Sequence, residues 1–240
     1  MKTASYSPTP GTEPAEETLN EMRRSLHHFL RHQDELAVLD DMEKNARYLS
    51  ELAKADLLQP ISALTTALES LVRDHRKHPE NANASSMRTV GQCIDFLAVL
   101  IEDSTLARVK DVANSKIFAI DDDRGILEVI TASMELANLN ITTAADATDG
   151  LKKLSAESYE LILLDIGLPD MNGMDICSRV RDMTRHQNTP IVFLTGEATF
   201  QNRVKSTLNG GNDMIGKPFG VLELEVKVLM WVFKGQLGLV

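Results

Sequence analysis

Residues 161–173 read Leu-Ile-Leu-Leu-Asp-Ile-Gly-Leu-Pro-Asp-Met-Asn-Gly, so a fully apolar run leads directly into a carboxylate. A strand buried on both faces of a parallel sheet requires such an unbroken apolar run. The turn-forming residues Pro169, Asn172 and Gly173 then separate this run from the sequence that follows. The stretch therefore predicts a central strand whose carboxyl end presents Asp165.

Similar short apolar segments, most of them followed by helical sequence, recur along the second half of the chain. They are residues 117–120, 141–144, 191–194 and 213–215. Five β/α units in about 125 residues predict a doubly wound parallel sheet with helices on both faces. Functional groups in such sheets gather outside the carboxyl ends of the strands, so the residues at these ends are the candidate site.

Three carboxylates, one hydroxyl and one ammonium lie at these strand ends. They are Asp121, Asp122, Asp165, Thr195 and Lys217. Clustered carboxylates repel one another by about 4 kcal/mol per pair at about 4 Å and an effective dielectric of about 20. A hard cation such as Mg²⁺ removes that cost, and an aspartate beside it can act as a nucleophile toward phosphorus. The hydroxyl and the ammonium would then hold the remaining phosphoryl oxygens.

Four motifs in this order resemble the CheY-like receiver domain of two-component response regulators. They are Phe118–Asp122, Leu163–Gly173, Leu194–Gly196 and Gly216–Phe219. The resemblance covers residues 116–240 and implies a flavodoxin-like (βα)5 fold. A phosphatase of the haloacid dehalogenase type is the alternative aspartate-nucleophile class, but it needs a second Asp where this chain has Gly167.

The resemblance also implies a role for each site residue. Asp165 would be the phosphoacceptor, Mg²⁺ would be held by Asp121, Asp122, Asp165 and the Gly167 carbonyl, Thr195 would be the switch hydroxyl, and Lys217 would bind the phosphate. The sequence departs from the family at Met214, where an aromatic residue usually tracks the position of the switch hydroxyl. We therefore expect an altered signal path at that position.

The first half of the chain is helical in pattern. Apolar residues recur in steps of three and four over residues 36–71, which predicts one long amphipathic helix with a coiled-coil seam. A polar loop at residues 73–83 and a second helix starting at Ser85 or Ser86 complete a predicted hairpin. Each helix of a hairpin can bury its apolar stripe only against the other helix, so the second layer of a core has to come from elsewhere. We therefore expect the hairpin to dimerise into a four-helix bundle.

Residues 55–64 within that long helix resemble the H-box of histidine-kinase dimerisation and phosphotransfer hairpins. Its residues Ala55, Asp56 and Pro60 form a degenerate version, because Ala55 stands where the family has its phosphorylated histidine. The resemblance implies a hairpin that retains the dimerisation interface but lacks the phosphotransfer reaction. The predicted domains are a disordered tail at 1–15, a helical dimerisation hairpin at 16–115 and a receiver domain at 116–240.

Charge and apolar content limit the function classes. Residues 1–115 carry 13 basic and 18 acidic side chains, and the rest carry 12 and 17, so neither half is a basic nucleic-acid module. Apolar runs of six residues are too short for a membrane span, the N-terminus has no secretory signal, and Cys93 and Cys177 have no metal or disulfide spacing. We expect a cytoplasmic protein without a DNA-binding domain.

The predicted function is a response regulator that a histidine kinase or a histidine phosphotransferase phosphorylates on Asp165. Its output would be protein binding by the helical half, with no separate enzymatic activity beyond loss of its own phosphoryl group. The alternative is a regulator of a histidine kinase or a phosphate sink, whose degenerate hairpin docks on a true kinase bundle.

A group of histidines lies outside these motifs. His28 and His32 are four residues apart on one helical face, with His27 beside them. This spacing suits a metal site or a phosphoryl acceptor. Exposed histidines on a charged helix are the commoner case, and no phosphotransfer motif surrounds them.

Overall fold

The protein was analysed as a computed structural model, which describes residues 13–32, 35–55, 58–102, 106, 108–113, 115–196 and 210–240. The chain divides into two compact units, a helical unit at residues 1–109 and a sheet unit at residues 110–240. A helical N-terminal part is thus followed by a five-stranded parallel sheet with helices, as the sequence predicts.

The helical unit contains four long helices within the described residues. They are α1 (Glu13–Arg31), α2 (Ala37–Lys54), α3 (Ser62–Lys77) and α4 (Ala84–Glu102). Helix α2 packs against α1 and α3, and α4 packs mainly against α1. Their apolar faces form one core that includes Leu19, Met22, Leu39, Met42, Leu49, Leu64, Leu68, Val90 and Leu97.

The predicted single helix over residues 36–71 is wrong. The chain leaves α2 at Lys54 and enters α3 at Ser62, with a short 3-10 turn at Gln59–Ile61 between them. Pro60 sits at the start of this turn, where its missing N–H is tolerated; inside a continuous helix it would remove a hydrogen bond. The apolar spacing continues through the turn, which is why two helices resemble one.

This break changes how the apolar stripe is buried. Because α2 and α3 are separate helices that pack against each other, their apolar stripes face each other and the neighbouring helices of the same chain. A second copy is therefore not needed to cover them, contrary to the argument for a dimeric bundle. Helix α1 also begins at Glu13, so residues 13–15 are helical, and the rest of the predicted tail lies outside the described residues.

Helix α4 contains the one segment in the described part of the chain that is long and apolar enough to cross a bilayer. This segment, Ala84–Ile101, has a mean hydropathy of 1.2, and 61 % of it is buried. This segment is longer than the six-residue apolar runs of the sequence because it also includes polar residues. Its packing in the helical unit is that of a core helix.

The sheet unit contains five parallel strands in the order β2-β1-β3-β4-β5. The strands are β1 (Lys116–Ile120), β2 (Asn140–Ala144), β3 (Leu161–Asp165), β4 (Ile191–Thr195) and β5 (Asp213–Gly216). The described helices around them are α5 (Arg124–Leu136), α6 (Ala147–Ala156), α7 (Gly173–Asp182) and α8 (Val221–Leu237). Each strand lies within one residue of its predicted bounds, because continuous apolar runs leave little choice of position.

The two ends of the sheet unit meet at one edge of the sheet. The backbone N–H of Lys110 donates a hydrogen bond to Oε1 of Gln236, at 3.0 Å. Gly235, beside Gln236, lies close to Pro190 and to the Glu160 carbonyl, which precede β4 and β3. The end of α8 is therefore at the amino edge of the sheet, opposite the strand ends that carry the candidate site.

Candidate functional site

The candidate site lies where the strand order reverses. Strands β1 and β3 are neighbours at the centre of the sheet, and Ile120 pairs with Leu164. Asp121 follows β1 directly and Asp165 ends β3, so their side chains emerge side by side. This switch point is where open α/β sheets bind their ligands.

Three carboxylates and one ammonium meet at this point. Asp121, Asp122 and Asp165 each place a carboxylate oxygen within 4.8 Å of the others. Asp121 is fully buried, Asp165 is 5 % exposed and Asp122 is exposed. The Nζ atom of Lys217 lies 2.6 Å from Oδ2 of Asp121 and 2.9 Å from Oδ1 of Asp165. The structure thus assembles four of the predicted site residues.

Burial and charge oppose each other here. Burial raises the pKa of Asp121, although the hydrogen bonds and charge of Lys217 and the Asp123 N–H favour its charged form. Burial would lower the pKa of Lys217, but its hydrogen bonds and ion pairs with Asp121 and Asp165 raise it. The lysine therefore stays an ammonium that bridges the two aspartates.

The donor set fits a hard divalent cation. Among the described residues, the buried Oδ2 atom of Asp121 has the Lys217 ammonium as its partner, at 2.6 Å. Asp122 adds a solvent-facing carboxylate, and Gly167 lies beside Asp165, because a Cβ there would contact Oδ2 of Asp165 at 3.6 Å. Few carboxylates with room for water suit Mg²⁺ better than Ca²⁺.

Gly173, which the sequence marks only as a turn residue, is a steric requirement of this site. A Cβ at Gly173 would lie 2.2 Å from the Asp165 carbonyl oxygen and 2.9 Å from the Cα of Ile166. The Gly173 N–H donates to the Ile166 carbonyl at 3.0 Å, which closes the loop after β3. Asp170 in that loop accepts a hydrogen bond from the Ala147 N–H at the start of α6, at 3.0 Å.

Thr195 and Lys217 are brought together by the pairing of β4 with β5. Thr195 pairs with Gly216, and the Lys217 N–H donates to the Thr195 carbonyl at 2.7 Å. Thr195 is buried, and the peptide bond from Lys217 to Pro218 is cis. Both side chains thus belong to the carboxyl edge that presents Asp165.

Met214 and its neighbour Asp213 connect β5 to the rest of the sheet unit. Met214 is 5 % exposed and pairs with Phe193 of β4. The Oδ2 atom of Asp213 accepts hydrogen bonds from Nζ of Lys227 and Nε1 of Trp231 in α8, both at 2.9 Å. Burial alone would raise the pKa of Asp213, but Lys227 and Trp231 hold it below its usual value. This anchor was not foreseen from the sequence.

The residues of the predicted degenerate H-box belong to the helical unit. Ala55 is exposed at the end of α2, and Pro60 lies in the turn before α3. Asp56 falls outside the described residues. Ala55 and Pro60 therefore lie between α2 and α3, whereas the sequence predicts them to lie within one long helix.

Comparison with known proteins identifies the sheet unit. The response regulator receiver domain family matches residues 117–229. Transcriptional regulatory protein KdpE of Staphylococcus aureus is 35 % identical over 114 residues, or 48 % of each chain. Response regulator ArlR of Staphylococcus saprophyticus is 32 % identical over 114 residues, or 48 % of this chain and 50 % of that protein. The structure of the chemotaxis response regulator CheY4 of Vibrio cholerae covers 50 % of this chain, with 28 % identity and a TM-score of 0.47.

The family match falls on the second half of the molecule. The chain spans about half the length of the curated relatives it matches. The matched residues contain the carboxylates, Thr195 and Lys217 in the order that the motifs predict. Residues 117–229 are therefore a receiver domain of the two-component response regulator family.

Proposed function

We propose that Asp165 accepts a phosphoryl group from a histidine kinase or a histidine phosphotransferase. The observation that carries this proposal is the ammonium of Lys217 shared between Asp121 and Asp165 at 2.6 and 2.9 Å. A salt bridge of this kind neutralises one of the two buried carboxylates and leaves the nucleophile close to a cation. That arrangement suits attack on an anionic phosphoryl group.

The transfer conserves atoms and charge in a simple way. An oxygen of the Asp165 carboxylate attacks phosphorus, the P–N bond of the donor phosphohistidine breaks, and the imidazole leaves and takes up a proton. Asp165 becomes an acyl phosphate. Lys217 is placed to pair with a phosphoryl oxygen, and the Thr195 hydroxyl is the proposed second donor.

Asp121, Asp122, Asp165 and the Gly167 carbonyl are the proposed ligands for Mg²⁺. The ion would supply charge neutralisation as the phosphoryl group approaches the carboxylates. The fully buried Asp121 fixes one side of this site, while the exposed Asp122 leaves the other open to the donor protein.

The position of Met214 is usually occupied by an aromatic residue that follows the position of the switch hydroxyl. With methionine there, we expect the position of Thr195 to be coupled to the rest of the sheet unit in a different way. An unbranched thioether repacks without the rotation of a ring. Its position in the core next to Phe193 means that a shift of Thr195 would be absorbed by β4 and β5 together. We expect the change to be read at the β4–β5 edge.

The output of the protein is proposed to be protein binding by the helical unit, in the cytoplasm and without a separate catalytic activity. Homodimerisation is one form of this output. The second form is docking on a kinase bundle, and it is favoured by the finding that the four helices bury their stripes within one chain. Light scattering on the full chain separates the two, since homodimerisation predicts twice the monomer mass with or without phosphodonor.

Phosphorylation is tested on the full chain with acetyl phosphate and Mg²⁺ on a phosphate-affinity gel. We expect the wild type to shift and Asp165→Asn not to shift. Asp175→Asn, an exposed aspartate in the first turn of α7, is the matched control and should shift like the wild type. An unshifted wild type, or a shift retained in Asp165→Asn, would refute the proposal.

A further inference from the structure

A second group of possible metal ligands lies in the helical unit. His28, His32 and Glu35 each offer one ligand atom, and these atoms lie within 4.8 Å of one another. All three residues are exposed. No motif of the receiver domain includes them, and they lie in the other compact unit.

The local backbone explains how these three residues come together. His28 and His32 are four residues apart at the end of α1, so they share one face of the helix. Their ring centroids are 4.7 Å apart with an interplanar angle of 31°. After the helix ends, the Glu35 N–H donates to the His32 carbonyl at 3.1 Å, which holds Glu35 close to the end of α1.

All three side chains already contact one another or the backbone. Nε2 of His28 lies 2.7 Å from Oε2 of Glu35, and Nδ1 of His32 lies 3.3 Å from the His28 carbonyl. An exposed His–Glu pair contributes little to stability by itself. The helical spacing places the second imidazole beside this pair, so three ligand atoms are already close enough to be shared by one cation.

We propose that His28, His32 and Glu35 bind a transition-metal ion of the Zn²⁺ class, with water completing the coordination. Two imidazole nitrogens and one carboxylate oxygen are ligands that Zn²⁺, Co²⁺ and Ni²⁺ prefer, while Mg²⁺ prefers oxygen alone. Metal–ligand bonds of about 2.0–2.2 Å require the ligand atoms to close to roughly 3.3 Å, which small side-chain rotations at the surface allow. The protein would thus carry two metal sites of different chemistry, one in each unit.

The site would join two elements of the helical unit. His28 belongs to α1, whereas Glu35 lies in the connection that leads to α2. A bound ion would therefore fix the end of α1 to that connection, and metal would stabilise this corner of the unit.

The probe is Co²⁺, titrated into the untagged full-length protein in excess Mg²⁺. Four- or five-coordinate Co²⁺ with nitrogen ligands gives strong visible bands, whereas an all-oxygen octahedral site gives weak ones. We expect bands that saturate at one ion per chain and that Zn²⁺ abolishes by displacement. Excess Mg²⁺ occupies the aspartate cluster, so failure of the phosphorylation proposal does not affect this result.

The variants His28→Gln, His32→Gln and Glu35→Gln should each weaken Co²⁺ binding by at least about tenfold. His27→Gln is the matched control, because His27 is an exposed neighbour outside the cluster, and it should bind as the wild type does. Circular dichroism checks that each variant keeps its helices. The proposal is overturned if the wild type gives no bands, if the bands survive in His28→Gln and His32→Gln, or if Mg²⁺ abolishes them.

Discussion

Asp165 reaches its position because the chain after β3 turns back with no side chain at Gly173. The hydrogen bond from Gly173 to the Ile166 carbonyl and the bond from Ala147 to Asp170 fix that loop at two points. The proposed phosphoacceptor would have to be held in place for in-line attack, so these backbone contacts matter to the proposal as much as the charged groups do.

Replacing Gly173 by alanine should destabilise the sheet unit by about 3 kcal/mol or more, because the new Cβ meets backbone atoms that have no side-chain freedom. Urea unfolding followed by tryptophan fluorescence measures this, since the single tryptophan, Trp231, is in α8. Gly196→Ala is the matched control, with nothing within 4 Å of its Cβ, and it should change stability by less than about 1 kcal/mol. Equal stability of the two variants would contradict the steric argument.

The sequence predicts the site residues that can be recognised by their residue type and their position after a strand. It does not predict the residues whose role depends on a close approach in space. Asp121, Asp165 and Lys217 could be found because they follow recognisable strands. The demand for glycine at 173 depends on an approach of 2.2 Å that no spacing reveals. The bonds from Lys227 and Trp231 to Asp213 likewise depend on how α8 packs on β5.

Among the elements, strands and helices differ in how well the sequence locates them. A strand such as β3 is fully buried, so its apolar run ends where the strand ends. The amphipathic pattern of α2 and α3 continues across their connection, and only Pro60 marks the break. Helix α3 also carries a buried histidine, His75, whose ring nitrogens have no hydrogen-bond partner among the described residues.

His75 should make the stability of the helical unit depend on pH. Burial lowers the pKa of His75 to about 4, and the charge of Asp74 offsets this only in part. The unfolded chain therefore takes up the proton first. The stabilisation is complete above about pH 6.5 and is lost as the pH falls toward about 4, by up to roughly 3 kcal/mol.

Urea unfolding at about pH 7.5 and about pH 5, followed by far-ultraviolet circular dichroism, tests this expectation. His75→Leu should reduce the loss of stability between the two conditions. His78→Leu, at an exposed histidine just beyond α3, should leave it unchanged. The same pH dependence in wild type and His75→Leu would show that other groups cause it.

For the whole molecule, two compact units allow two unfolding events. Trp231 reports on the sheet unit alone, whereas circular dichroism reports on the helices of both units. The net charge of −10 is shared equally, and phosphorylation would add up to about two negative charges to the sheet unit only.

Mg²⁺ with beryllofluoride, a phosphoryl mimic, should shift the Trp231 transition to higher urea. Ligand at about 100 times its Kd stabilises the unit that binds it by about 2.7 kcal/mol. The circular dichroism transition should then broaden or split, because the helices at residues 13–102 gain nothing. Asp165→Asn should show neither change, and an unshifted Trp231 transition in the wild type would argue against ligand binding at this site.

The hydrogen bond from Lys110 to Gln236 places the entry and exit of the sheet unit side by side. Domains with neighbouring ends tolerate circular permutation and insertion into loops of other proteins. Because the proposed phosphorylation site lies at the opposite edge of the sheet, a host protein attached through residues 110 and 236 would leave Asp165 facing away from the points of attachment. If Asp165 is phosphorylated as proposed, the sheet unit could be inserted into another protein as a phosphorylation sensor.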